Sequence, residues 1–326
     1  MPIPFIKPFR SNPRAGNTPS EFLAGVSCRS ALILATTLAG ARADTLFTSE
    51  FYQGNIAEIN TANGSVSIFA SGLSNPEGLA FDKSGNLFVA MQSSGVIDRI
   101  SPSGTVTPIV SGLNYYLSGL TIDSAGDIYV GANVYAGTFS ADILKFSPSG
   151  ALLSTWSWPV GGGPLQPTGL AFDGNGNLLV TDYSGNALYS VSPTGVASEL
   201  TSEGVNPLGL AFDAQGNLFI ANRSSGTIAE RTPEGTLSTF ATGVNDPAGL
   251  AFDSAGNLYV ANSPNGGTGT TITEITPNGT QSIFATGLNE PLFITDVVPE
   301  PGTCGLLALG IGSLAISSRT RKAITV

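Results

Sequence analysis

The sequence contains no histidine in its 326 residues. That absence excludes the commonest general base, the commonest zinc ligand and every Ser-His or Cys-His nucleophile pair. Cysteine is nearly absent as well, because Cys28 and Cys304 are the only two and each lies in a terminal segment. The central part of the chain is therefore expected to have neither a disulfide nor thiol chemistry.

Positive charge is also scarce in the central part. Residues 44–297 hold five Lys or Arg and twenty-one Asp or Glu, a net charge of −16, whereas the other eight basic residues lie in the two ends. A body this acidic repels phosphate backbones and anionic lipid. We therefore expect no nucleic-acid partner, and we expect good solubility and attraction of cations.

The N-terminal segment has the pattern of a secretory signal peptide. In RSALILATTLAGARAD, residues 29–44, a basic residue precedes an apolar run, and Ala41 and Ala43 form an A-x-A cleavage site. Residues 1–43 are the predicted leader and signal, and signal peptidase is the expected partner. The region before the run is unusually long, so either translation starts further downstream or a disordered leader precedes the signal. The alternative is a buried helix of the fold.

The C-terminal segment, residues 298–326, has three parts in order. A Pro-rich hexapeptide comes first, then the apolar stretch 304–316, and then a basic cluster of Arg319, Arg321 and Lys322. Thirteen apolar residues fall short of the ~20 that span a bilayer comfortably. The segment is therefore expected to anchor the chain in a membrane only transiently, with the basic cluster on the cytoplasmic side.

This segment resembles the PEP-CTERM sorting signal, in which Pro-Glu-Pro is followed by a hydrophobic stretch and an arginine cluster. The predicted sorting motif is Val298, Pro299, Glu300, Pro301, Gly302 and Thr303. The resemblance implies recognition and cleavage by an exosortase in a Gram-negative-type bacterium, often one that makes exopolysaccharide. It also implies a final location at the cell surface or outside the cell. The alternative is an ordinary C-terminal hydrophobic helix.

The central part repeats one phrase five times, as in DPAGLAFDSAGNLYVAN from Asp246. The aspartates that mark the copies are spaced by 41, 50, 40 and 40 residues, at Asp82, Asp123, Asp173, Asp213 and Asp253. Each copy predicts a β-hairpin, since a β-rich run such as GLAF and a second such as LYVA flank a tight D-x-x-G-N turn. The turn explains the recurring Asp, which accepts backbone N–H groups, and the Gly, which adopts a positive φ. We therefore expect no catalytic role for these aspartates.

Two further strands follow each hairpin and are joined by a P-x-G turn. A period near forty with four short strands is typical of a propeller blade. A sixth first strand, EPLFITDV from Glu290, has no hairpin after it, whereas the strands from Thr45, Asn55 and Ser65 have no first strand before them. The sequence therefore predicts an all-β, six-bladed β-propeller over residues 44–297, with four antiparallel strands per blade. The C-terminal strand would close the ring by joining the N-terminal three.

The repeat resembles the NHL type of propeller repeat and, more loosely, the propellers of the senescence-marker/gluconolactonase and virginiamycin B lyase families. Such repeats are specific for the fold and unspecific for function. The resemblance to gluconolactonases implies a Glu, an Asn and an Asp as divalent-metal ligands at the channel mouth. Only Glu77 matches, because Thr168, Leu208 and Ala248 occupy the other slots. The lyases, by resemblance, rely on histidine, which this chain lacks.

Ligands of propellers usually bind at one mouth of the central channel. The candidates just before the first strands are Glu77, Ser118, Thr168, Leu208, Ala248 and Phe293. The polar candidates at the ends of the second strands are Asp182, Asn222 and Asn262, with Met91 and Ala132 at equivalent places. Together with Glu77, the polar residues would hold a cation such as Ca²⁺ or hydrogen-bond a sugar. In the alternative interpretation, each side chain satisfies the loop that follows it.

The third blade is longer than the others, and insertions in repeat proteins often carry function. The aromatic residues that could form a sugar-stacking platform there are Tyr115, Tyr116, Tyr135, Trp156 and Trp158. Trp156 and Trp158 alternate along a strand and therefore share one face. The alternative is that these aromatics pack an outer strand against its neighbours.

These features predict a secreted, surface-sorted propeller that binds an extracellular polysaccharide or protein without covalent chemistry and without a required cofactor. The alternative is a lactonase-like or lyase-like enzyme that uses Glu77 and Asp182 with a bound divalent cation, since carboxylates alone can do acid–base work. A structural component of an extracellular matrix is a second alternative.

Overall fold

The computed structural model describes residues 45–134, 141–157, 166–202, 204, 206–263 and 269–296. The predicted signal peptide and sorting tail, as well as Tyr135 and Trp158, lie outside the described residues. Every described strand belongs to one compact unit, Arg42–Glu300. A single 3₁₀ turn, Arg223–Ser225, interrupts the β-structure of these ranges. Within them, no helix has the length and apolar character that a membrane crossing requires.

Twenty-four strands in the described ranges form six four-stranded antiparallel sheets, which are the blades. Blade 1 consists of β24 (Pro291–Asp296), β1 (Thr45–Glu50), β2 (Asn55–Asn60) and β3 (Val66–Ala70). Blade 2 consists of β4 (Pro76–Phe81), β5 (Leu87–Met91), β6 (Val96–Ile100) and β7 (Val106–Val110). Blade 3 consists of β8 (Tyr116–Ile122), β9 (Ile128–Asn133), β10 (Ala141–Phe146) and β11 (Leu152–Ser157). Blade 4 consists of β12 (Pro167–Phe172), β13 (Leu178–Asp182), β14 (Ala187–Val191) and β15 (Ala197–Thr201). Blade 5 consists of β16 (Pro207–Phe212), β17 (Leu218–Asn222), β18 (Thr227–Arg231) and β19 (Leu237–Thr242). Blade 6 consists of β20 (Pro247–Phe252), β21 (Leu258–Asn262), β22 (Thr271–Ile275) and β23 (Gln281–Ala285).

The first strand of each blade faces a central channel, and these six inner strands contact one another in the circular order β24, β4, β8, β12, β16, β20. The ring closes where β24 pairs with β1, with Leu46 opposite Asp296 and Glu50 opposite Pro291. The Glu50 carboxylate adds a bond at this seam, because Oε1 accepts the backbone N–H of Asn289 at 2.8 Å. The predicted six-bladed propeller and its closure by the C-terminal strand are confirmed.

The recurring aspartates hold the turns of the first hairpins. In blade 2, Asp82 Oδ1 accepts the N–H groups of Ser84 and Asn86 at 2.8 Å each, and Asn86 Nδ2 donates to Asp82 Oδ2 at 2.8 Å. The same network surrounds Asp173, Asp213 and Asp253. These carboxylates are therefore occupied by turn structure, as the sequence predicts.

Aromatic side chains pack between neighbouring blades in a repeated set of three. Between blades 1 and 2, Phe47 meets Phe69 and Phe81 edge to face, with ring centroids 5.0 and 5.1 Å apart. The equivalent set between blades 5 and 6 is Phe219, Phe240 and Phe252. This edge-to-face geometry stabilises each interface beyond simple area burial.

Glycine in the inner strands lets neighbouring blades approach backbone to backbone. These glycines are Gly78, Gly119, Gly169, Gly209 and Gly249. A Cβ on Gly169 would lie 2.0 Å from the carbonyl oxygen of Leu208 in the next inner strand. The absence of side chains at these positions therefore sets how tightly the ring can close.

Substituting one of these glycines tests the close approach. We expect Gly169→Ala to lower the free energy of unfolding by about 1–3 kcal/mol, because the added methyl group overpacks a rigid contact. Gly174→Ala is the matched control, since a Cβ there meets no described atom within 4 Å. Chemical denaturation of both variants measures the difference, and equal losses would contradict the contact.

Candidate functional site

The upper mouth of the channel is the end at which the inner strands begin. A first ring of side chains lies there, consisting of Glu77, Ser118, Thr168, Leu208, Ala248 and Leu292. A Cβ on Gly249 would meet the Leu292 carbonyl oxygen at 2.7 Å, as a Cβ on Gly209 would meet that of Ala248 at 2.3 Å. Leu292 is therefore the sixth member of the ring. The sequence-based choice of Phe293 was wrong by one residue, because Phe293 takes the place of the glycine that would have fixed the alignment.

Two hydroxyls of the first ring bond to the neighbouring blade. Ser118 Oγ donates to the carbonyl of Pro167, and Thr168 Oγ1 donates to the carbonyl of Pro207 at 3.1 Å. Both side chains are buried. Their first role is therefore to join the inner strands of blades 3, 4 and 5.

One side of the mouth is apolar. Leu208, Ala248 and Leu292 form a buried cluster, and the partly buried rings of Phe51 and Tyr183 pack against it. Aromatic rings at a channel mouth present an apolar face to an incoming ligand. This apolar wall spans the inner strands of blades 5, 6 and 1.

A second ring lies one residue beyond the predicted ends of the second strands. Its members are Phe51, Gln92, Asn133, Tyr183, Arg223 and Ser263. Backbone bonds hold most of this ring at the mouth: the N–H of Arg223 donates to the Asn206 carbonyl at 3.2 Å, and the N–H of Ser263 donates to the Asp246 carbonyl at 3.1 Å. Asn206 and Asp246 directly precede inner strands, so each bond ties a second-ring residue to the start of its own blade.

Glu77 is the carboxylate of the first ring. It is 6% exposed, and its Oε2 has no hydrogen-bond partner among the described residues. Burial raises the pKa of Glu77 to about 8, although the hydrogen bond with the Gln92 side chain and the charge of Arg223 act in the opposite direction. At neutral pH the side chain is therefore mainly a protonated acid, which can donate a hydrogen bond.

Arg223 belongs to blade 5, which stands opposite blade 2 and Glu77 in the ring. Its Nη2 donates to the carbonyl of Ser263 at 2.5 Å, whereas its Nε is buried and has no partner within the described ranges. The other described cations lie toward the lower end of the blades, at Lys83, Arg99, Lys145 and Arg231. In the described part of the chain, Arg223 is therefore the cation of the upper mouth.

Glu290 is a mouth residue that sequence reasoning missed. It has a left-handed backbone with φ of 48°, and the equivalent left-handed residues are Asn75, Asn206 and Asp246. Asn and Asp tolerate this conformation better than Glu does, and such strain tends to collect at functional sites. Burial raises the pKa of Glu290, against the lowering effects of Arg223 and the Ser263 hydroxyl. We call Glu77, Arg223, Ser263 and Glu290 the mouth cluster.

The polar candidates at the second-strand ends bond to their own blades. Asp182 Oδ1 accepts the N–H groups of Gln166 and Gly185 at 2.9 and 3.0 Å. Asn262 donates to two threonine hydroxyls of β22 at 2.8 Å each, and Asn222 donates to a threonine hydroxyl of β18 at 3.5 Å. These contacts correspond to the alternative in which each side chain satisfies its own loop. A ligand role for the three residues stays a prediction.

The described members of the predicted aromatic platform are Tyr115, Tyr116 and Trp156. Tyr115 packs between blades 2 and 3, and its hydroxyl donates to Asp142 at 2.8 Å. Trp156 packs between blades 3 and 4, with its ring centroid 5.6 Å from that of Tyr129. It occupies the place that Phe69 fills in the aromatic set of blade 1. Tyr115 and Trp156 thus lie on different sides of blade 3, and the structure does not bring them together.

The metal set implied by the gluconolactonase resemblance does not fit the upper mouth. Hard divalent cations need several oxygen ligands. In the slots around Glu77, the hydroxyl of Thr168 is bonded to the next blade, and Leu208 and Ala248 belong to the apolar wall. No group of three or more acidic, cysteine or histidine side chains converges anywhere among the described residues.

Below the mouth, the channel contains a cavity of about 390 Å³ that all six inner strands line. Most of its lining side chains are apolar, including Phe81, Phe252 and Phe293, but polar atoms make up about half of the lining surface, with Thr295 and Asp296 near the lower end. Polar groups at the upper end include the mouth cluster and Gln92. They also include Asn133, Asp182 and Asn262, each of which has a buried oxygen with no partner among the described residues.

Solved structures of other proteins share this fold. A chain of a nidogen/laminin complex is 18% identical, with coverage of 77% of this chain and 97% of that chain and a TM-score of 0.65. The virginiamycin B lyase of Staphylococcus aureus is 16% identical (78% and 86% covered, TM-score 0.58), and a gluconolactonase of Xanthomonas campestris is 17% identical (67% and 79%, TM-score 0.56). At these identities the likeness shows the fold alone: a six-bladed β-propeller with lyase and gluconolactonase neighbours. Among curated proteins, none matches the sequence.

The chain also carries a sorting signal. Residues 297–322 match the PEP-CTERM protein-sorting motif, which confirms the resemblance seen in the sequence. The motif implies secretion and surface sorting in a bacterium, and it is consistent with an exosortase as partner.

Proposed function

We propose that this protein is a surface-sorted propeller that binds an extracellular ligand, a polysaccharide in the first instance, at the upper mouth and without covalent chemistry. Residues 1–43 act as leader and signal peptide, and an exosortase in a Gram-negative-type cell envelope processes the tail at Val298–Thr303. Ca²⁺ and other metals are not needed for this binding.

One observation carries the proposal. The mouth cluster contains buried polar atoms that have no hydrogen-bond partner in the described part of the chain, among them Glu77 Oε2, Arg223 Nε and Glu290 Oε2. Leaving a buried polar group unpaired costs about 1–3 kcal/mol, and more for a charged group. A ligand that brings complementary polar atoms removes this cost. The apolar wall beside the cluster adds the nonpolar surface that binding sites usually have.

Thermal unfolding with a panel of mono- and oligosaccharides tests the proposal. A ligand that binds only the native state raises the melting temperature by mass action. We expect at least one saccharide to raise it, and we expect Tyr183→Ala to weaken that binding because the variant removes part of the apolar wall. Ile283→Ala is the control, because Ile283 is 59% exposed on β23, the outermost strand of blade 6, and is not part of the apolar wall.

Three results would contradict the proposal. The first is that no saccharide of the panel raises the melting temperature. The second is an equal loss of binding in Tyr183→Ala and Ile283→Ala, which would place the ligand elsewhere. The third is chemical conversion of the bound saccharide, detected by product analysis. This result would show that the protein is an enzyme.

A hydrolase is the second candidate, and the pKa of Glu77 favours it. A carboxyl group that stays protonated near neutral pH can act as a general acid. Turnover of sugar lactones that Glu77→Gln abolishes, with folding intact, would support this candidate. A melting-temperature rise specific to Ca²⁺, Mg²⁺ or Mn²⁺ that the same variant removes would support its cation-dependent form.

A further inference from the structure

The buried edge of the Arg223 guanidinium lacks an acceptor. Nη2 donates to the Ser263 carbonyl at 2.5 Å, but within the described residues Nε has no partner. Guanidinium N–H groups form a planar fork that matches the two oxygens of a carboxylate. Arg223 as a whole is partly exposed, so the residue is accessible from the solvent at the upper mouth. A carboxylate on that ligand would supply the missing acceptor.

The two glutamates near Arg223 do not supply it. Oε2 of Glu77 and Oε2 of Glu290 are themselves without partners among the described residues, so neither is paired with Nε. Burial raises the pKa of Glu77 to about 8, which favours its protonated, hydrogen-bond-donating form near neutral pH, and it raises the pKa of Glu290 as well. Gln92 contributes an amide group beside Glu77. The mouth therefore combines the positive charge of Arg223 with the donors of Glu77 and Gln92, which suits an anionic, acceptor-rich group.

The charge of the rest of the body acts against an anionic ligand. Residues 44–297 carry a net charge of −16, so an anion is repelled from most of the surface. The pairing with Arg223 at the upper mouth has to outweigh this repulsion, which salt screens where the charges are distant.

The apolar wall points to a ring-shaped ligand. Phe51 and Tyr183 are partly buried beside Leu208 and Leu292, next to the donors of the mouth cluster. A sugar ring has an apolar face and a polar rim, so one face can lie on the wall while its substituents reach the donors. A sugar acid combines this shape with a carboxylate, which can accept the hydrogen bond that Arg223 Nε does not make within the described residues.

We infer that the ligand of the upper mouth is an acidic saccharide, a glycan unit that carries a carboxylate, and that Arg223 pairs with the carboxylate. This assignment depends on the proposed binding function and names the class of its ligand.

Calorimetric titration of the purified chain with two matched sugars tests the inference. Trigalacturonate and the corresponding neutral galactose trimer differ only in their carboxylates. At pH 6 and moderate salt, we expect the acidic trimer to bind about tenfold tighter or more, because charge-assisted bidentate bonds are among the strongest. Arg223→Gln should abolish this preference, and Arg223→Lys, which keeps the charge without the fork, should retain only part of it.

Arg231→Gln is the matched control, since it removes the same charge from the same blade at its lower end. The preference should survive in this variant, and equal loss in both variants would overturn the inference in favour of a nonspecific charge effect. Equal binding of both trimers, weakened by Tyr183→Ala, would overturn the inference and leave the proposed binding function standing. Failure of both trimers to bind would overturn the inference, and the saccharide panel would then decide the binding function separately. Equal affinity for an acetylated tripeptide with a free C-terminal carboxylate would overturn the assignment to a saccharide.

Discussion

Removal of β24 is expected to abolish the cooperative fold, whereas removal of the sorting tail alone should leave it intact. A chain that ends at Asn289 loses the strand that pairs with β1 and the buried side chains of Leu292 and Ile294. Each of these two side chains contributes about 1.5–3 kcal/mol when buried, a large share of a total stability of roughly 5–15 kcal/mol. A chain that ends at Val297 keeps every described strand.

Circular dichroism and thermal melting of the two truncated proteins measure this difference. We expect one sharp transition for the chain that ends at Val297 and none for the chain that ends at Asn289. A synthetic peptide of residues 290–297 should restore the transition in the shorter chain, because it can occupy the place beside β1. A sharp, unshifted transition in the shorter chain without peptide would mean that β24 is dispensable.

The second large effect concerns pH. The pKa of Glu77 rises from 4.5 to about 8 on folding, so the native state binds more protons than the unfolded state between these values. The stabilising effect of the bound proton is complete below about pH 4.5 and is lost as the pH rises toward 8. We therefore expect Glu77→Gln to be more stable than the parent at pH 8 by up to about 4 kcal/mol, and to differ little from it at pH 5.

Urea denaturation at pH 5, 6.5 and 8 measures this dependence. Glu234→Gln is the control, because Glu234 is exposed in a turn, and this variant should keep the parent's slope. Burial also raises the pKa of Glu290, so the double variant with Glu290→Gln should show a still flatter profile. An unchanged slope in Glu77→Gln would mean that this carboxyl group is already ionised in the native state.

The fold could be predicted because its determinants are local and repeated. Each D-x-x-G-N turn predicts the hairpin in which it lies. The unmatched strands at the two ends of the propeller predict how the ring closes. The alignment failed only in β24, where Phe293 replaces the glycine that marks the other inner strands. Trp156 could have been placed by aligning the fourth strands, because it falls where Phe69 and Phe240 pack between blades.

The site was harder to predict than the fold, because a shift of one residue reverses the direction of a strand side chain. Asp182, Asn222 and Asn262 are the last residues of their strands, and the next residues along the chain, Tyr183, Arg223 and Ser263, belong to the second ring. One feature of the sequence could have indicated the site: the residue type at the second-ring position differs between blades, from aromatic Phe51 and Tyr183 to charged Arg223. The electrostatic interaction between Glu77 and Arg223 could not be predicted from the sequence, because the two residues belong to opposite blades.

The closing strand is also the last part of the propeller to leave the ribosome. Until β24 has been made and exported, blade 1 lacks its inner strand and the upper mouth lacks Glu290 and Leu292. The sorting motif begins directly after this strand. A prematurely terminated chain would therefore lack the closing strand, part of the upper mouth and the sorting motif together.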